Sequence, residues 1–355
     1  MTGLLTSSVA VDAGRRVFTP RTPVFSRRIG VRATIVTVSA LLAAAAVGVF
    51  ALTLGDVTFS PGEVLVTLLG MGEPRAELVI VEWRLPRVVA ALVFGVALGV
   101  GGAIFQSLTR NPLGSPDVIG FDAGAYTGAL LVITTMGISV ASTAAPALAG
   151  GATTAVLVYL LAFRRGFTGF RLIIVGIGVA SMLASVNTWI ILNADLRIAM
   201  LASAWGAGSL NVITAEQVAI AACVIVPIGV AVSLFADRMH LLELGDDAAS
   251  ALGVRTGRTR LMLIILGVCL TAAVTAMAGP IAFISLAAPQ VARRLTGSAS
   301  VTLSASAAVG ALLLISSDVL AQRLFAPTEI PVGIVTVCLG GVYLIWLLIQ
   351  EARRR

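Results

Sequence analysis

The sequence predicts an all-α integral membrane protein of about ten transmembrane helices. Three observations carry this. The 355-residue chain is 58% hydrophobic and only 12% charged, and its mean hydropathy of +1.03 lies outside the range of soluble domains. Its charges gather in short turns between long uncharged runs. One such run, Val88 to Thr109, places 22 uncharged residues between Arg87 and Arg110. At about 1.5 Å per residue it makes roughly 33 Å of helix, enough for a bilayer core of about 30 Å.

Taken in order, residues 1–32 form a polar, basic tail carrying Arg15, Arg16, Arg21, Arg27, Arg28 and Arg32, expected in the cytoplasm. The first helix is Ala33 to Gly55, 23 uncharged residues, longer than the apolar core of a secretion signal. Asp56 to Glu82 reads as an acidic polar connection punctuated by Pro61, Gly62, Gly70, Gly72 and Pro74. The second helix follows from about Arg87. In it Ala91, Gly95, Gly99 and Ala103 recur every fourth residue, a stripe that lets another helix approach closely. Between Asp122 and Arg164 lie 41 uncharged residues, room for helices three and four with a turn between Gly137 and Pro146. A basic turn of Arg164, Arg165 and Arg171 precedes helix five, Leu172 to Ala194. Asn193 to Thr214, interrupted at Trp205, Gly206 and Gly208, predicts a short extracytoplasmic or re-entrant helix. Gln217 to Ala236 is helix six, and Asp237 to Arg260 is the longest charged segment between helices. Leu261 to Ala292 is broken at Gly279-Pro280 into helix seven and a short helix eight running through Pro289. Helices nine and ten are Val301 to Leu320 and Ile330 to Gln350. A ten-helix domain over 33–350 thus ends in a basic tail at 351–355.

With the N-terminus inside, nineteen of the 24 arginines fall on the cytoplasmic side. Only Arg75, Arg84, Arg87, Arg197 and Arg323 fall outside, so both termini are expected in the cytoplasm. The net charge of +7 therefore reports orientation rather than a nucleic-acid surface. Every basic residue is arginine; no lysine occurs. That excludes a conventional P-loop and Schiff-base chemistry on this chain. His240 is the sole histidine, and Cys223, Cys269 and Cys338 sit in separate apolar runs, so packing rather than a metal or disulfide is expected of them. No nucleophile–base constellation is present, which argues against a membrane enzyme.

Several spaced motifs then resemble one family. They are Arg84-Leu85-Pro86-Arg87, Arg110-Asn111-Pro112-Leu113, Leu244-Gly245 to Leu252-Gly253, Gly279-Pro280-Ile281, and Asp318 with Glu329-Ile330-Pro331-Val332-Gly333. In this order they are similar to the permeases of bacterial ABC importers for iron-siderophores, haem and cobalamin, the FecCD family. The resemblance implies a multi-pass protein of the bacterial inner membrane and a ten-helix subunit pairing with a second permease. It further implies two separate ATPase subunits holding ATP and magnesium, and an extracytoplasmic binding protein. The segment from Thr168-Gly169-Phe170-Arg171 through Asn187-Thr188-Trp189 to Ala207-Gly208-Ser209-Leu210 resembles subunits of catecholate, enterobactin-type systems, which pair as heterodimers. A ferric siderophore is the expected cargo, with haem or cobalamin as the alternative.

The resemblance also implies roles. Arg84, Arg87 and Arg323 would meet acidic residues of the binding protein; lipid-headgroup anchoring beside Trp83 is the alternative for the first two. Within 239–257, the stretch Leu244, Gly245, Asp246, Asp247, Ala248, Ala249, Leu252 and Gly253 would be the coupling helix that receives motion from the ATPase. The residues alone read as a short helix capped by Asp246 or Asp247, with Gly253 at its end. Leu244, Ala248, Ala249 and Leu252 would then be free for a partner groove. Asn111, Pro112 and Leu113 would line a gate, with a second constriction near Thr168 and Gly169; an ordinary helix-breaking turn would account for the Asn-Pro equally. Carboxylates in membrane helices are functional candidates. Asp318 is expected to pair with Arg323, and Asp122 is a pore or structural charge. Gln290 stands where the family often has histidine. An ion-coupled secondary transporter is the competing class; it would need a midplane relay, for which Asp122 is the one candidate.

Overall fold

The computed structural model describes residues 6–12, 15–21, 29–55, 57–136, 140–162 and 169–353. The basic tail carries a small antiparallel sheet, β1 (Thr6–Asp12), β2 (Arg15–Arg21) and β3 (Ile29–Gly30), in that spatial order. Thr6 lies opposite Arg21 and Val17 opposite Gly30. The all-α description therefore applies to the membrane unit, which begins with α1 (Val31–Thr53).

The connection after α1 is more ordered than its polarity suggests. It holds α2 (Pro61–Leu68), started by a reciprocal capping box between Ser60 and Glu63. It also contains the beginning of a continuous helical rod of 36 residues, Pro74–Thr109. The rod is α3 (Pro74–Glu77), a π-helical stretch Leu78–Arg84, and α4 (Leu85–Thr109). Pro86 explains the wide stretch. Proline lacks an N–H, and its ring would strike the carbonyl four residues back in a regular α-helix. The π turn, in which the Leu85 N–H reaches the Ile80 carbonyl, shifts those carbonyls aside.

Next come α5 (Phe121–Met136) and α6 (Val140–Ala162). Pro146 lies inside α6 rather than in the preceding turn. Then follow α7 (Gly169–Leu192), the short α8 (Leu196–Gly206) and α9 (Ala215–Glu243). The last runs seven residues past the expected end at Ala236, so part of the charged segment is helical. A short α10 (Asp246–Ala251) leads to α11 (Thr256–Ala278). Gly279, at φ +72°, ends α11. The next helix, α12 (Ile284–Thr296), continues well past Pro289. The described chain closes with α13 (Leu303–Arg323) and α14 (Val332–Ala352).

Seven described helices are long and apolar enough to cross a membrane, and Val332–Trp346 adds a shorter apolar helix. The bundle is built around α4, which is buried at every residue from Ala97 to Thr109 and packs on α13, α11, α12 and α9. The small-residue stripe sets its closest contact. A Cβ on Gly95 would stand 2.5 Å from the Gly310 carbonyl oxygen, and one on Gly99 would collide with the Ser306 carbonyl. The outer helices expose Ile35, Leu42, Phe50, Leu160 and Leu234, as a lipid-facing surface does. Cys223 and Cys338 are exposed and Cys269 is half-buried, all three as free thiols. The expected interior packing is thus corrected for Cys223 and Cys338, whose helix faces turn outward.

Candidate functional site

Polar residues concentrate at the two ends of α4 and at the broken helix beside it. At the first end, Arg87 forks onto Asp318. Its Nε donates to both carboxylate oxygens at 2.9 and 3.1 Å, and its Nη2 donates to Oδ1 at 3.0 Å. Its Nη1 donates to Glu329 at 2.8 Å, and Gln322 donates to Asp318 at 2.8 Å. The Arg87 side chain is 11% exposed and that of Asp318 is fully buried. The expected Asp318–Arg323 pair does not form. Residues five apart on a helix point roughly 140° away from each other, so Arg323 faces elsewhere. Its Nε and Nη2 are buried without a hydrogen-bond partner among the described residues. Arg84 donates to the Leu52 carbonyl at 2.8 Å and the Val57 carbonyl at 2.5 Å, and it lies 5.3 Å over the Phe59 ring. It therefore ties the end of α1 to the rod. A cavity of about 320 Å³ opens here between Trp83, Arg84, Arg87, Gln322 and Glu329.

At the opposite end, α4 stops at Arg110, a non-glycine residue at φ +50°. Asn111 Oδ1 accepts the Leu113 N–H at 2.9 Å, an Asx turn that stiffens the bend. The Pro112 carbonyl accepts from Gln290 Nε2 at 2.7 Å, and the Tyr343 hydroxyl donates to Gln290 Oε1 at 3.5 Å. The departure from histidine at position 290 thus places an amide that braces the turn from α12. Gly169 packs on the Thr109 backbone, where a Cβ would stand 2.5 Å from its carbonyl oxygen. Thr168 lies outside the described residues.

Asp246, the first residue of α10, accepts from Arg110 Nη2 at 2.8 Å and Arg260 Nη2 at 2.7 Å. The hydrogen bond from Arg260 holds its carboxyl below the ordinary range. Neither Asp246 nor Asp247 caps α10. The N-cap is Gly245 at φ +114°, because the Asp246 side chain is taken by the two arginines. Leu244, Ala248 and Leu252 are exposed as expected, and Asp247 is exposed too, but Ala249 is fully buried against the bundle. Gly253, at φ +82°, ends the helix as its sequence position implied.

Between the two ends, Asp122 accepts from Thr275 Oγ1 at 3.4 Å. Beside it stands Asp117, which sequence reading missed, accepting the Phe283 N–H at 3.2 Å. These carboxyls brace the segment between α11 and α12, where Phe283 adopts φ +72°. Asp122 is thus engaged with other elements of its own chain. Among the described residues no group of three or more His, Cys, Asp or Glu side chains could hold a metal ion.

A family model described as the FecCD transport family matches residues 40–350. The chain belongs to the FecCD transport family. This FecCD chain is 51% identical to the ferric enterobactin transport system permease protein FepG of Escherichia coli (strain K12) over 308 residues, 87% of this chain and 93% of that relative. It is 38% identical to the iron(3+)-hydroxamate import system permease protein FhuG of Bacillus subtilis (strain 168), over 84% of this chain and 92% of the relative. A solved structure described as an inward-facing conformation of a metal-chelate type ABC transporter superimposes with a TM-score of 0.79 at 25% identity, covering 89% of this chain and 99% of that one. The FecCD chain is accordingly the membrane permease of an ABC importer, a multi-pass inner-membrane protein. In this family ATP hydrolysis resides on a separate subunit, in keeping with the missing lysine.

Proposed function

We propose that this FecCD permease imports a ferric siderophore of the catecholate class, handed over by an extracytoplasmic binding protein and driven by two ATPase subunits. The observation that carries the cargo is the 51% identity to a ferric enterobactin permease across 93% of that protein's length. A second, homologous permease would complete the passage along α7. That helix presents Gly178, Ser181, Ser185 and Thr188 outward beside Met182 and Trp189, and the hydroxyls of Ser181, Ser185 and Thr188 donate to carbonyls of their own helix. Such a surface offers a bulky chelate little to bind, which suits a cargo that must pass on.

In this reading ten segments cross the bilayer and both termini are cytoplasmic, following the arginine bias. The Arg87 end then faces outward, with Arg84, Arg87 and Arg323 as docking charges. Arg323 is half-exposed at this end and makes no pair with Asp318, while Arg84 and Arg87, held by their own chain, shape the surface around it. The α10 helix couples to the ATPase through Leu244 and Leu252, which are 65% and 60% exposed. The turn Asn111, Pro112 and Leu113 is the inner gate, with Gly169 packed on Thr109 just before it.

The test is the full complex in vesicles, comparing ferric enterobactin, a ferric hydroxamate, haem and cobalamin on their binding proteins. The catecholate should raise ATP hydrolysis, and uptake should follow internal ATP and ignore uncouplers. Stimulation by another cargo alone, or uptake abolished by an uncoupler at constant ATP, would overturn the assignment.

A further inference from the structure

We infer that Asp246 and Arg110 form a clasp that transmits movement of α10 to the turn ending α4, so that the pair sets how much cargo moves per ATP. The inference rests on α10 being the ATPase dock and goes beyond it by naming the link inward.

Three features of geometry support it. First, a single carboxylate oxygen joins three elements: Asp246 Oδ1 on α10, Arg110 at the end of α4, and Arg260 on α11. Both bonds are charge-assisted and short, at 2.8 and 2.7 Å. Arg260 is 7% exposed and Arg110 45% exposed, so the buried arginine anchors α10 while the outer one can follow it. Second, Arg110 is adjacent in sequence to the turn at Asn111–Leu113, which its proline and Asx bond stiffen. A displacement of Arg110 is therefore carried as a unit to Leu113 rather than absorbed locally. Gln290 on α12 bonds the same turn, and Gly169 on α7 packs on Thr109, the residue before Arg110, so movement at this end of α4 reaches two further helices. Third, a cavity of about 210 Å³ lies beside the turn, between Gln106, Ser107, Pro112, Glu243 and Arg293. It leaves the turn room to shift.

Magnitude separates this role from simple bracing. Partly exposed ion pairs contribute only about 0.2–1 kcal/mol to stability, so loss of the Arg110 contact should leave the fold intact. Coupling elements typically alter communication by a few-fold to tens of fold.

The experiment uses the complete transporter in vesicles, measuring cargo moved per ATP hydrolysed. Arg110→Gln should assemble with the ATPases and hydrolyse ATP, yet move about fivefold less cargo per ATP. Arg110→Lys, which keeps the charge, should recover most of that. Asp246→Asn should lower the ratio too, and adding Arg110→Gln to it should lower it no further. A wild-type ratio in Arg110→Gln, or two losses that multiply, would refute the clasp. Leu252→Arg tests the reading beneath: it should abolish co-purification of the ATPases. If they remained bound, α10 would not be the dock and the clasp would fall with it.

Discussion

Removing the Asp318 carboxylate should destabilise the bundle sharply, and the amount follows from the burial. Asp318 is fully buried and Arg87 is 11% exposed, held by three contacts to that carboxylate. Deleting one partner of such a pair strands a charge away from water, at a cost of about 3–5 kcal/mol. Glu329 still reaches Arg87 at 2.8 Å and is 43% exposed, so it compensates in part. Asp318→Ala should therefore fall near the lower limit, about 3 kcal/mol, which is more than a hundredfold in the unfolding equilibrium. Arg87→Met should cost a similar amount. The double variant Arg87→Met/Asp318→Leu should cost less than either, because no uncompensated charge remains. Unfolding of the purified permease in mild detergent, followed by tryptophan fluorescence against added denaturant, reads all three. Arg323→Gln is the control and should be near neutral, since Arg323 does not touch Asp318. Single losses below about 1 kcal/mol, or a double loss equal to the sum of the singles, would show the pair to be solvated and the argument wrong.

Two further outcomes follow from the same geometry. Gly99→Leu should force α4 from α13, because its Cβ would meet the Ser306 carbonyl rather than a flexible side chain. Overpacking of this kind costs about 1–3 kcal/mol or more, seen as a loss of monodisperse protein on gel filtration. Gly178→Leu, with nothing within 4 Å of its added Cβ, should leave the yield unchanged. The Asp246 clasp should ignore pH in the physiological range. Arg260 depresses the folded carboxyl, so its stabilisation is complete above the unfolded value of about 4 and is lost as pH falls through the lower folded value. Cargo moved per ATP should therefore show no clasp-dependent change between about pH 5 and 8. A transition there that Asp246→Asn removes would contradict the geometry.

Much of this protein was legible in one dimension. Long apolar runs must become helices in lipid, where every backbone N–H and C=O needs an internal partner. The Ala91–Ala103 stripe announced a tight helical neighbour, and Gly253 marked the end of α10. Helix limits were less legible where proline was concerned: Pro86 and Pro146 read as boundaries, yet each lies within a helical segment. A π turn, or neighbouring helices, accommodates the ring at these places.

What only the tertiary structure decided is which charge meets which. Spacing suggested Asp318 with Arg323, but the rotation of α13 turned Asp318 toward Arg87, 231 residues away. Capping rules suggested Asp246 for its own helix, but folding delivered Arg110 and Arg260 to it first. Hydrophobic periodicity is a local property that each segment carries alone, whereas an ion pair between distant helices exists only once packing has chosen their rotations and depths.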